Sequence, residues 1–451
     1  MADSILITGG TVIDGTGAPP RKDEAVLIRD GRIAALGADA LAEAEKVDTR
    51  IDATGKTVMP GLIDAHTHLS FGEPTGNDEL FNHRTEGYSS MLTAYNARKV
   101  LRAGVTSVLD ADCLWNIGVE LRDAVETGIV EGPRVRAGGQ ALMTMLGGTA
   151  GRMIRDDGVT GYATVVHDKD MMVREVRRQI KYGVDWIKVH VTGLIPSMKG
   201  PEVQVWNIDE LRTVCDAAHE LNTLVVAHCR NSASTRDAAR AGVDMIYHAS
   251  YMDDEALEAV LEHGTVLCPT FTLLGNLADY GEKVGTAPEL LDVFRAEIEV
   301  TAKQMAKAHS LGVKFLTGSE TGFAVTPCGE WHARELEMFV EYMGMSEMDA
   351  IVAATRNGAF AMRMEGQLGT LEPGMIADVL VIDGDPLQNI KILQEKERIV
   401  EVIKDGKRVD LTTPIPERKP RPSDQVRFLA ACPLTRSLAL TEEQLERLSH
   451  V

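Results

Sequence analysis

Two histidines separated by a single residue, His66 and His68, have the types and spacing to bind a metal ion. They follow an apolar run that starts after Pro60-Gly61 and predicts a short buried strand. Side chains of a strand alternate between its faces, so both imidazoles point to one side and can donate to one divalent ion. The pair therefore predicts a metal site; the alternative is two polar residues at a junction of strand and loop.

Other residues that bind metals or transfer protons also follow predicted strands. Four of them lie in a strand or directly at its end: Lys188, His228, His248 and Glu320. A second set of histidines lies within or at the ends of predicted helices, where a solvated or helix-capping role is expected: His219, His263 and His309. Position relative to the strands thus separates candidate ligands from ordinary histidines.

The elements that position these residues alternate between strands and helices from about residue 61 to 365. Most of the apolar runs begin at a glycine that can cap the preceding helix. Seven or eight such units predict an α/β fold of the (β/α)8 type, a TIM-like barrel, whose active site lies at the carboxyl ends of its strands. A doubly wound sheet is the alternative, but no Gly-x-Gly-x-x-Gly motif follows the first strand.

The two ends of the chain have a different character. Short β-type runs separated by turns occupy residues 1–60 and recur at 366–411, and Asp30-Gly31 predicts a hairpin. We expect both ends to form one small β-sandwich domain beside the barrel domain at 61–365. Residues 412–451 are a proline-rich link followed by a helical pattern from Thr441 to Leu448, and they are expected to pack on the surface or on a neighbouring subunit.

Composition narrows the classes of function. The chain of 451 residues has 47 basic and 67 acidic residues, and its net charge of −20 argues against nucleic acid and anionic membranes as partners. Neither a leader peptide nor an apolar span is recognisable, so a cytoplasmic location is expected. The six cysteines form no Cys-x-x-Cys pair, which indicates reduced thiols rather than disulfides or a zinc knuckle.

The strand-end motifs, taken together, resemble those of the amidohydrolase superfamily. The resemblance covers about residues 4 to 410 and is to members with a binuclear metal site, the group of imidazolonepropionase-like amidases and dipeptidases. It rests on these runs: Pro60-Gly61-Leu62-Ile63-Asp64-Ala65-His66-Thr67-His68, Ile187-Lys188-Val189, Val226-Ala227-His228, Ile246-Tyr247-His248 and the late run from Gly369 to Val379.

The resemblance implies a set of metal ligands. His66 and His68 would bind the more buried ion, His228 and His248 the more exposed one, and Lys188 would bridge both. In this family the lysine takes up carbon dioxide and becomes a carbamate, and burial favours the required neutral amine by lowering the lysine pKa. The ion would be zinc, with manganese, cobalt or iron also compatible with histidine and carboxylate ligands, and one or two ions per subunit.

Glu320 departs from the family pattern. Relatives have an aspartate after the last strand, where it touches the first metal and takes the proton of the attacking water. Glutamate is one methylene longer, which moves its oxygens by roughly 1.5 Å, a displacement on the scale that matters for catalysis. Either the backbone retreats to restore the geometry, or Glu320 acts as a base without binding metal. We expect the role of base to be retained.

Three further residues are candidates for substrate binding at the rim: His190, Arg230 and Tyr251. For Arg230, a surface ion pair is the alternative. Residues 138–151 contain methionine and leucine where dipeptidase-like relatives have a glycine-rich loop, often with histidine, and an apolar leaving group would suit them. The runs at 190–193 and 228–231 also show a weaker similarity to hydrolases of phenylurea and thiocarbamate compounds.

These features predict a metal-dependent enzyme that hydrolyses a carbon–nitrogen bond in a small-molecule amide, urea or carbamate. Metal would activate water, Glu320 would be the general base, and Lys188 and His248 would complete the catalytic centre. A hydrolase of esters, lactones or phosphotriesters on the same site is one alternative. A non-catalytic barrel scaffold is another, although such proteins lose metal ligands. Barrels with a tail of this kind often pair, so a homo-oligomer is expected.

Overall fold

The computed structural model describes residues 4–76, 80, 85–148, 161–194, 201–418, 430, 432–441 and 444. Its strands, in chain order, are β1 (Ile5–Val12), β2 (Arg21–Arg29), β3 (Arg32–Leu36), β4 (Thr49–Asp52), β5 (Thr57–Pro60), β6 (Leu62–Thr67), β7 (Val105–Asp110), β8 (Arg134–Ala137), β9 (Ala141–Met143), β10 (Ala163–Val165), β11 (Trp186–His190), β12 (Thr192–Leu194), β13 (Val203–Gln204), β14 (Leu224–Cys229), β15 (Met245–His248), β16 (Val266–Cys268), β17 (Val379–Ile382), β18 (Ile399–Lys404) and β19 (Lys407–Arg408).

Helices separate most of the central strands. In chain order they are α1 (Gly37–Ala42), α2 (Glu86–Arg102), α3 (Ile117–Glu126), α4 (Lys169–Lys181), α5 (Ile208–His219), α6 (Ser232–Ala241), α7 (Asp254–His263), α8 (Phe271–Tyr280), α9 (Pro288–Ser310), α10 (Arg334–Met343), α11 (Glu347–Ala354) and α12 (Arg436–Ala439). The molecule therefore has the mixed α/β content that the sequence pattern predicts.

Both ends of the chain meet in one mixed sheet. Its order is β19-β18-β17-β5-β1-β2-β3, with β4 paired to β1. β17 runs antiparallel to β5 with Val379 opposite Pro60, so the late strand lies beside the segment that leads into His66. Asp30 and Gly31 form the predicted hairpin between β2 and β3, both with positive φ, as a tight turn of matching twist requires.

The central strands are parallel. One ladder is β6-β7-β8 and another is β10-β9-β11-β14-β15-β16. Parallel bridges connect them: Gly138 pairs with Trp186, and Leu267 of β16 pairs with Phe315. The segment 313–321 also bonds to β6, because the backbone N–H of Ala65 donates to the carbonyl of Thr317 at 2.9 Å. Residues 313–321 thus bond to β16 on one side and to β6 on the other.

Local sequence signals explain where the central helices begin and end. Asn207 accepts a hydrogen bond from the N–H of Glu210, whose carboxylate accepts from the N–H of Asn207, and this capping box starts α5. Gly242 and Gly264 end α6 and α7 in the left-handed conformation, which costs glycine little because it has no Cβ. The glycine before a strand is thus the end of the preceding helix.

The strand period places the polar residues above an apolar floor. Trp186 and Val226 are fully buried and lie two residues before Lys188 and His228 on the same strands. Residues two apart share a strand face, so large apolar side chains support the polar ones from below. The carboxyl ends of these strands consequently present Lys188 and His228 at the top of the interior.

The described part of the tail packs on its own chain. The indole Nε1 of Trp331 donates to the carbonyl of Leu434 at 2.6 Å, and Leu434 is fully buried. The predicted helix from Thr441 to Leu448 lies outside the described residues except at 441 and 444. Among the residues described, no helix combines the length and the apolar character needed to cross a bilayer.

Candidate metal centre

His66, His68 and Glu320 form a cluster that can hold a metal ion. Potential ligand atoms of the three side chains all lie within 4.8 Å of one another. Both imidazoles are buried, at 1% and 3% exposure. Among the described residues, the buried Oε2 of Glu320 has no hydrogen-bond partner. A buried carboxylate oxygen without a donor is costly, and a cation beside two imidazoles would satisfy it, so this donor set fits a metal.

Hydrogen bonds on the far side of each ring set the nitrogen that faces the cluster. The Thr270 hydroxyl donates to the carbonyl of Cys268, so it accepts from Nδ1 of His66, at 3.0 Å. Nδ1 of His68 lies 2.5 Å from Oδ1 of Asp112. In both rings Nε2 is left as the nitrogen with a lone pair for the site. Such outer partners fix the tautomer and orientation of metal-binding histidines.

His228 and His248 form a second pair. Nε2 of His228 contacts Oε2 of Glu202 at 2.8 Å, and its Nδ1 lies 3.1 Å from Nε2 of His248. Two nitrogens that bind one tetrahedral zinc ion at about 2.0–2.1 Å stand roughly 3.3 Å apart. The observed separation therefore suits a shared ion, and Glu202 would orient the first ring.

Lys188 lies in the same pocket as these side chains. It is 1% exposed, and its Nζ lies 4.1 Å from the centre of the Tyr247 ring. Burial lowers the pKa of Lys188 below its usual value, although the nearby carboxylates of Asp112 and Glu320 oppose that shift. A lowered pKa favours the neutral amine, which is the form that reacts with carbon dioxide.

One pocket of about 50 Å³ gathers most of the predicted site residues. Its polar lining consists of His66, His68, Asp112, Lys188, His190, His228 and Glu320, and its apolar lining of Phe71, Leu80, Tyr162 and Phe323. Within 138–148, the buried Met143 packs in one apolar cluster with the pocket-lining Phe71, Leu80 and Tyr162, whereas Met145 and Leu146 are 60% and 58% exposed. Residues 149–151 lie outside the described residues.

The three predicted rim residues differ in position. His190 lines the pocket, and its Nε2 contacts Oδ2 of Asp112 at 2.8 Å; burial lowers the His190 pKa to about 4 despite that carboxylate. The guanidinium of Arg230 is not on the surface: it is only 12% exposed and donates to Glu297 at 2.8 Å. Burial raises the pKa of Tyr251, a partly exposed residue, to about 12.

Three residues of the site have backbones in the left-handed region. His248, Thr270 and Glu320 have φ values of 68°, 58° and 55°. This conformation is unfavourable in free energy for residues with a Cβ, and such strain is concentrated at functional sites. At Glu320 hydrogen bonds hold it in place: its N–H donates to the carbonyl of His66 at 2.8 Å, and its carbonyl accepts from the Thr326 hydroxyl at 2.7 Å.

Several polar residues of the site were not identified from the sequence. Asp64 ties β6 to the segment of Glu320, because its Oδ1 accepts from the N–H groups of His66 and Ser319 and its Oδ2 lies 2.7 Å from Nδ1 of His332. Asp112 could have been recognised, since it follows β7 as the histidines follow their strands. Glu202 follows no central strand, so the rule of strand ends could not find it.

Comparison with known proteins identifies the family. The amidohydrolase family matches residues 57–409. Ochratoxinase from Aspergillus niger is 30% identical over 427 residues, which cover 89% of this chain and 86% of the relative. Its crystal structure superposes with a TM-score of 0.79 at 25% identity, covering 90% of this chain and 95% of that one.

Two other solved structures share the architecture. A Xaa-Pro dipeptidase with methionine bound in its active site has a TM-score of 0.78 at 28% identity, covering 90% of this chain and all of that one. Phenylurea hydrolase B has a TM-score of 0.75 at 24% identity, covering 91% and 99%, which shows a common fold. The chain belongs to the amidohydrolase family and, as its motifs predict, is a hydrolase that acts on carbon–nitrogen bonds.

Proposed function

We propose that this protein hydrolyses an amide that carries a bulky apolar or aromatic group next to the bond that is cleaved. The observation that carries the proposal is the pocket that His66, His68, His228, Lys188 and Glu320 line together. His248 adjoins it through His228, and the buried Oε2 of Glu320 has no hydrogen-bond partner among the described residues. The rings of Phe71, Tyr162 and Phe323 form its other wall. Similarity to an ochratoxinase and to a Xaa-Pro dipeptidase supports an amide as the substrate. Ureas and carbamates are the related substrate classes.

The residues would share two divalent ions. His66, His68 and Glu320 would hold one, His228 and His248 the other, and a carboxylated Lys188 would bridge them. We propose zinc, since imidazole and carboxylate ligands suit it, with manganese, cobalt or iron as substitutes. A bound ion of this kind lowers the pKa of water toward 7 and polarises a carbonyl group.

The chain's own groups move the proton. Glu320 would take one proton from the attacking water as the water oxygen bonds to the substrate carbonyl carbon, and would give it to the departing nitrogen as the carbon–nitrogen bond breaks. Burial raises the Glu320 pKa above its usual value, and the positive charge of Arg230 opposes that shift. A raised pKa makes Glu320 a stronger base toward the attacking water.

Substrate contacts are proposed for the three rim residues. His190 lines the pocket and is placed to bond a polar group of the substrate. The guanidinium of Arg230 already lies between the carboxylates of Glu297 and Glu202, at 2.8 and 3.7 Å, so its contribution would be the field it exerts rather than a direct contact. Tyr251, which is partly exposed, would contact the substrate at the rim of the pocket.

We also infer the finer architecture. The hydrogen bonds from β6 around to 313–321 and back support a closed (β/α)8 barrel at 61–365, and the apolar core shared by strands of both chain ends supports a small sandwich domain at 1–60 and 366–411. A cytoplasmic location and a homo-oligomer stay predictions from composition and from the tail at 412–451.

A substrate screen tests the proposed function. Zinc-loaded protein is assayed against aryl and alkyl amides, N-acyl amino acids, ureas, carbamates, esters and a phosphotriester, with Glu320→Ala in parallel. We expect the highest kcat/KM on amides with an apolar group and loss of that activity in the variant. A preference for esters or phosphotriesters would overturn the amide assignment, and full activity of Glu320→Ala would overturn the proposed base.

A further inference from the structure

Glu73 is a buried junction between two loops that border the pocket. It follows β6 and is 7% exposed. Its N–H donates to the carbonyl of Gly322 at 2.7 Å, and its Oε1 accepts from the N–H of Cys328 at 3.0 Å and from Nζ of Lys99 at 2.7 Å. One carboxylate thus joins the loop after β6 to the loop after Glu320.

The C-terminal tail reaches the same carboxylate. Arg418 donates from Nη2 to Oε2 of Glu73 at 3.0 Å and from Nη1 to the carbonyl of Gly72 at 2.9 Å. The chain just before it is fastened along α2, where the Tyr95 hydroxyl donates to the carbonyl of Pro416 at 2.9 Å. We call residues 413–418 the strap. Its last residue, Arg418, pairs with Glu73, and Lys99 pairs with the same carboxylate.

Leu434, further along the tail, is hydrogen-bonded to the loop after Glu320. The N–H of Leu434 donates to the carbonyl of Ala324 at 2.8 Å, and its own carbonyl accepts from the Trp331 indole. Ala324 in turn donates to the carbonyl of Pro74 at 3.2 Å. Both loops therefore bond to the tail and to each other.

These loops carry the aromatic rings that support His68. The Phe71 ring stacks on the His68 ring with centroids 4.4 Å apart and planes 9° apart. The Phe323 ring meets His68 edge-on at 5.7 Å and Phe71 at 5.4 Å. Phe71 and Phe323 also line the pocket, so the position of the loops sets both the orientation of His68 and the shape of the apolar wall.

We propose that Arg418 and Glu73 are positioning residues for the reaction. Through them the strap fixes the two loops, and the loops fix Phe71 and Phe323 against His68. The tail is then part of the active unit although it lies outside the residues that match the amidohydrolase family. Because Glu73 is buried, a cation removed from it leaves a carboxylate with poorer compensation, and the loops lose their common anchor.

Hydrogen–deuterium exchange of the purified full-length protein tests the strap without reference to any substrate. The variants are Arg418→Ala, Arg418→Lys and, as a control, Arg177→Ala, which removes an exposed arginine paired with Glu220 elsewhere. We expect exchange of peptides covering 69–76 and 321–328 to become about tenfold faster in Arg418→Ala, as local opening becomes easier. Arg418→Lys keeps the charge and should restore most of the protection.

A kinetic measurement tests the consequence for catalysis. This part rests on the proposed function and uses an aryl amide, 4-nitroacetanilide, beside the 4-nitroanilide of an N-acyl phenylalanine. In Arg418→Ala, kcat/KM should fall by about 10- to 100-fold, and more for the larger substrate, since small misplacements of a site cost this much. If Arg418 has only a structural role, kcat/KM should fall by the same factor for both substrates.

The outcomes separate the two proposals. Unchanged exchange at 69–76 and 321–328 would overturn the strap whatever the enzyme hydrolyses. Faster exchange with unchanged kcat/KM would overturn the positioning role. If no amide is hydrolysed by the unaltered protein, the proposed function fails, and the exchange data alone then decide whether Arg418 anchors the loops.

Discussion

The Nδ1 atom of His228 lies 3.1 Å from the Nε2 atom of His248, and the opposite nitrogen of His228 lies 2.8 Å from a carboxylate oxygen of Glu202. The carboxylate holds the proton of the first ring on its outer side, so the inner nitrogen presents a lone pair toward His248. Burial and the positive charge around Arg230 keep the His248 pKa well below its usual range. The facing nitrogens of the two rings are therefore placed to share a cation.

Replacing Glu202 with glutamine should weaken metal binding at the His228–His248 pair. Glutamine still accepts the hydrogen bond from His228 but no longer makes that ring more basic. Loss of such an outer partner reduces metal affinity by about 10- to 100-fold. Competition with a chelating dye at constant pH measures the zinc affinity of the variant against the unaltered protein.

Glu297 offers the matched control. It pairs with the same Arg230, at 2.8 Å, and among the described residues it makes no hydrogen bond or ion pair with His228, so Glu297→Gln perturbs the arginine but not the ring. We expect its zinc affinity to stay within about threefold of the original, in the range of a peripheral change. Equal losses in both variants would mean that Glu202 acts through Arg230 instead.

The position of most candidate ligands could be predicted because side chains alternate along a strand and the carboxyl ends of parallel strands lie at the same edge of a sheet. His66, His68, Lys188 and His228 follow from this rule, and the structure brings them to one pocket. His248 needs more than the rule, since its left-handed backbone, φ 68°, allows both it and Tyr247 to contact His66.

Residues that act across long sequence distances could not be predicted in this way. Glu202 reaches His228 from the short strand region near β13, and Glu73 meets Arg418 across 345 residues. A single sequence carries no local pattern for such pairs, because their meeting depends on how loops fold back over the ends of the strands. For Arg230 the alternative of an ion pair is confirmed, but its surface location is wrong: the side chain is 12% exposed and pairs with Glu297 and Glu202.

Glu320 is tested by two substitutions with different geometry. Glu320→Gln removes the base while keeping the length of the side chain, and kcat should fall by about 10²- to 10⁴-fold. Glu320→Asp keeps the carboxylate but withdraws it by roughly 1.5 Å, and aspartate tolerates the left-handed backbone at this position. We expect a loss of about 100-fold, as for other small misplacements.

Steady-state kinetics and metal analysis of both variants decide between the roles that the sequence leaves open. A base that does not bind metal predicts full metal content in Glu320→Gln. A ligand predicts that one ion is lost together with activity. Activity of Glu320→Gln close to that of the unaltered protein would show that another group takes the proton.

Lys188→Met tests the bridging carbamate. Methionine fills a similar volume in the buried site but cannot react with carbon dioxide, so the variant should lose most of its bound metal. Atomic emission gives metal per chain, and protein prepared with ¹³C-bicarbonate should show a carbamate carbon by NMR that the variant lacks. Lys181→Met, at an exposed position of α4, is the control. Undiminished metal content in Lys188→Met would rule out the bridge.

Glu335 makes stability depend on pH in an unusual direction. Its buried carboxylate accepts from the N–H groups of Phe271 and Thr272 at the start of α8, yet burial outweighs these bonds and raises its pKa to about 7, from 4.5. Between these values the folded state holds a proton that the unfolded state has released, so the free energy of unfolding falls as pH rises. From pH 5 to 8 the expected loss is on the order of 2 kcal/mol.

Urea unfolding at pH 5, 6, 7 and 8 measures this dependence against Glu335→Gln, which cannot ionise. The variant is expected to be less stable at pH 5, because its amide N–H₂ must face a donor at Thr272, but to lose less stability as pH rises. The comparison must be of slopes, because paired carboxylates elsewhere respond with the opposite sign. Parallel slopes in the two proteins would mean that Glu335 is ionised throughout this range and that its hydrogen bonds outweigh its burial.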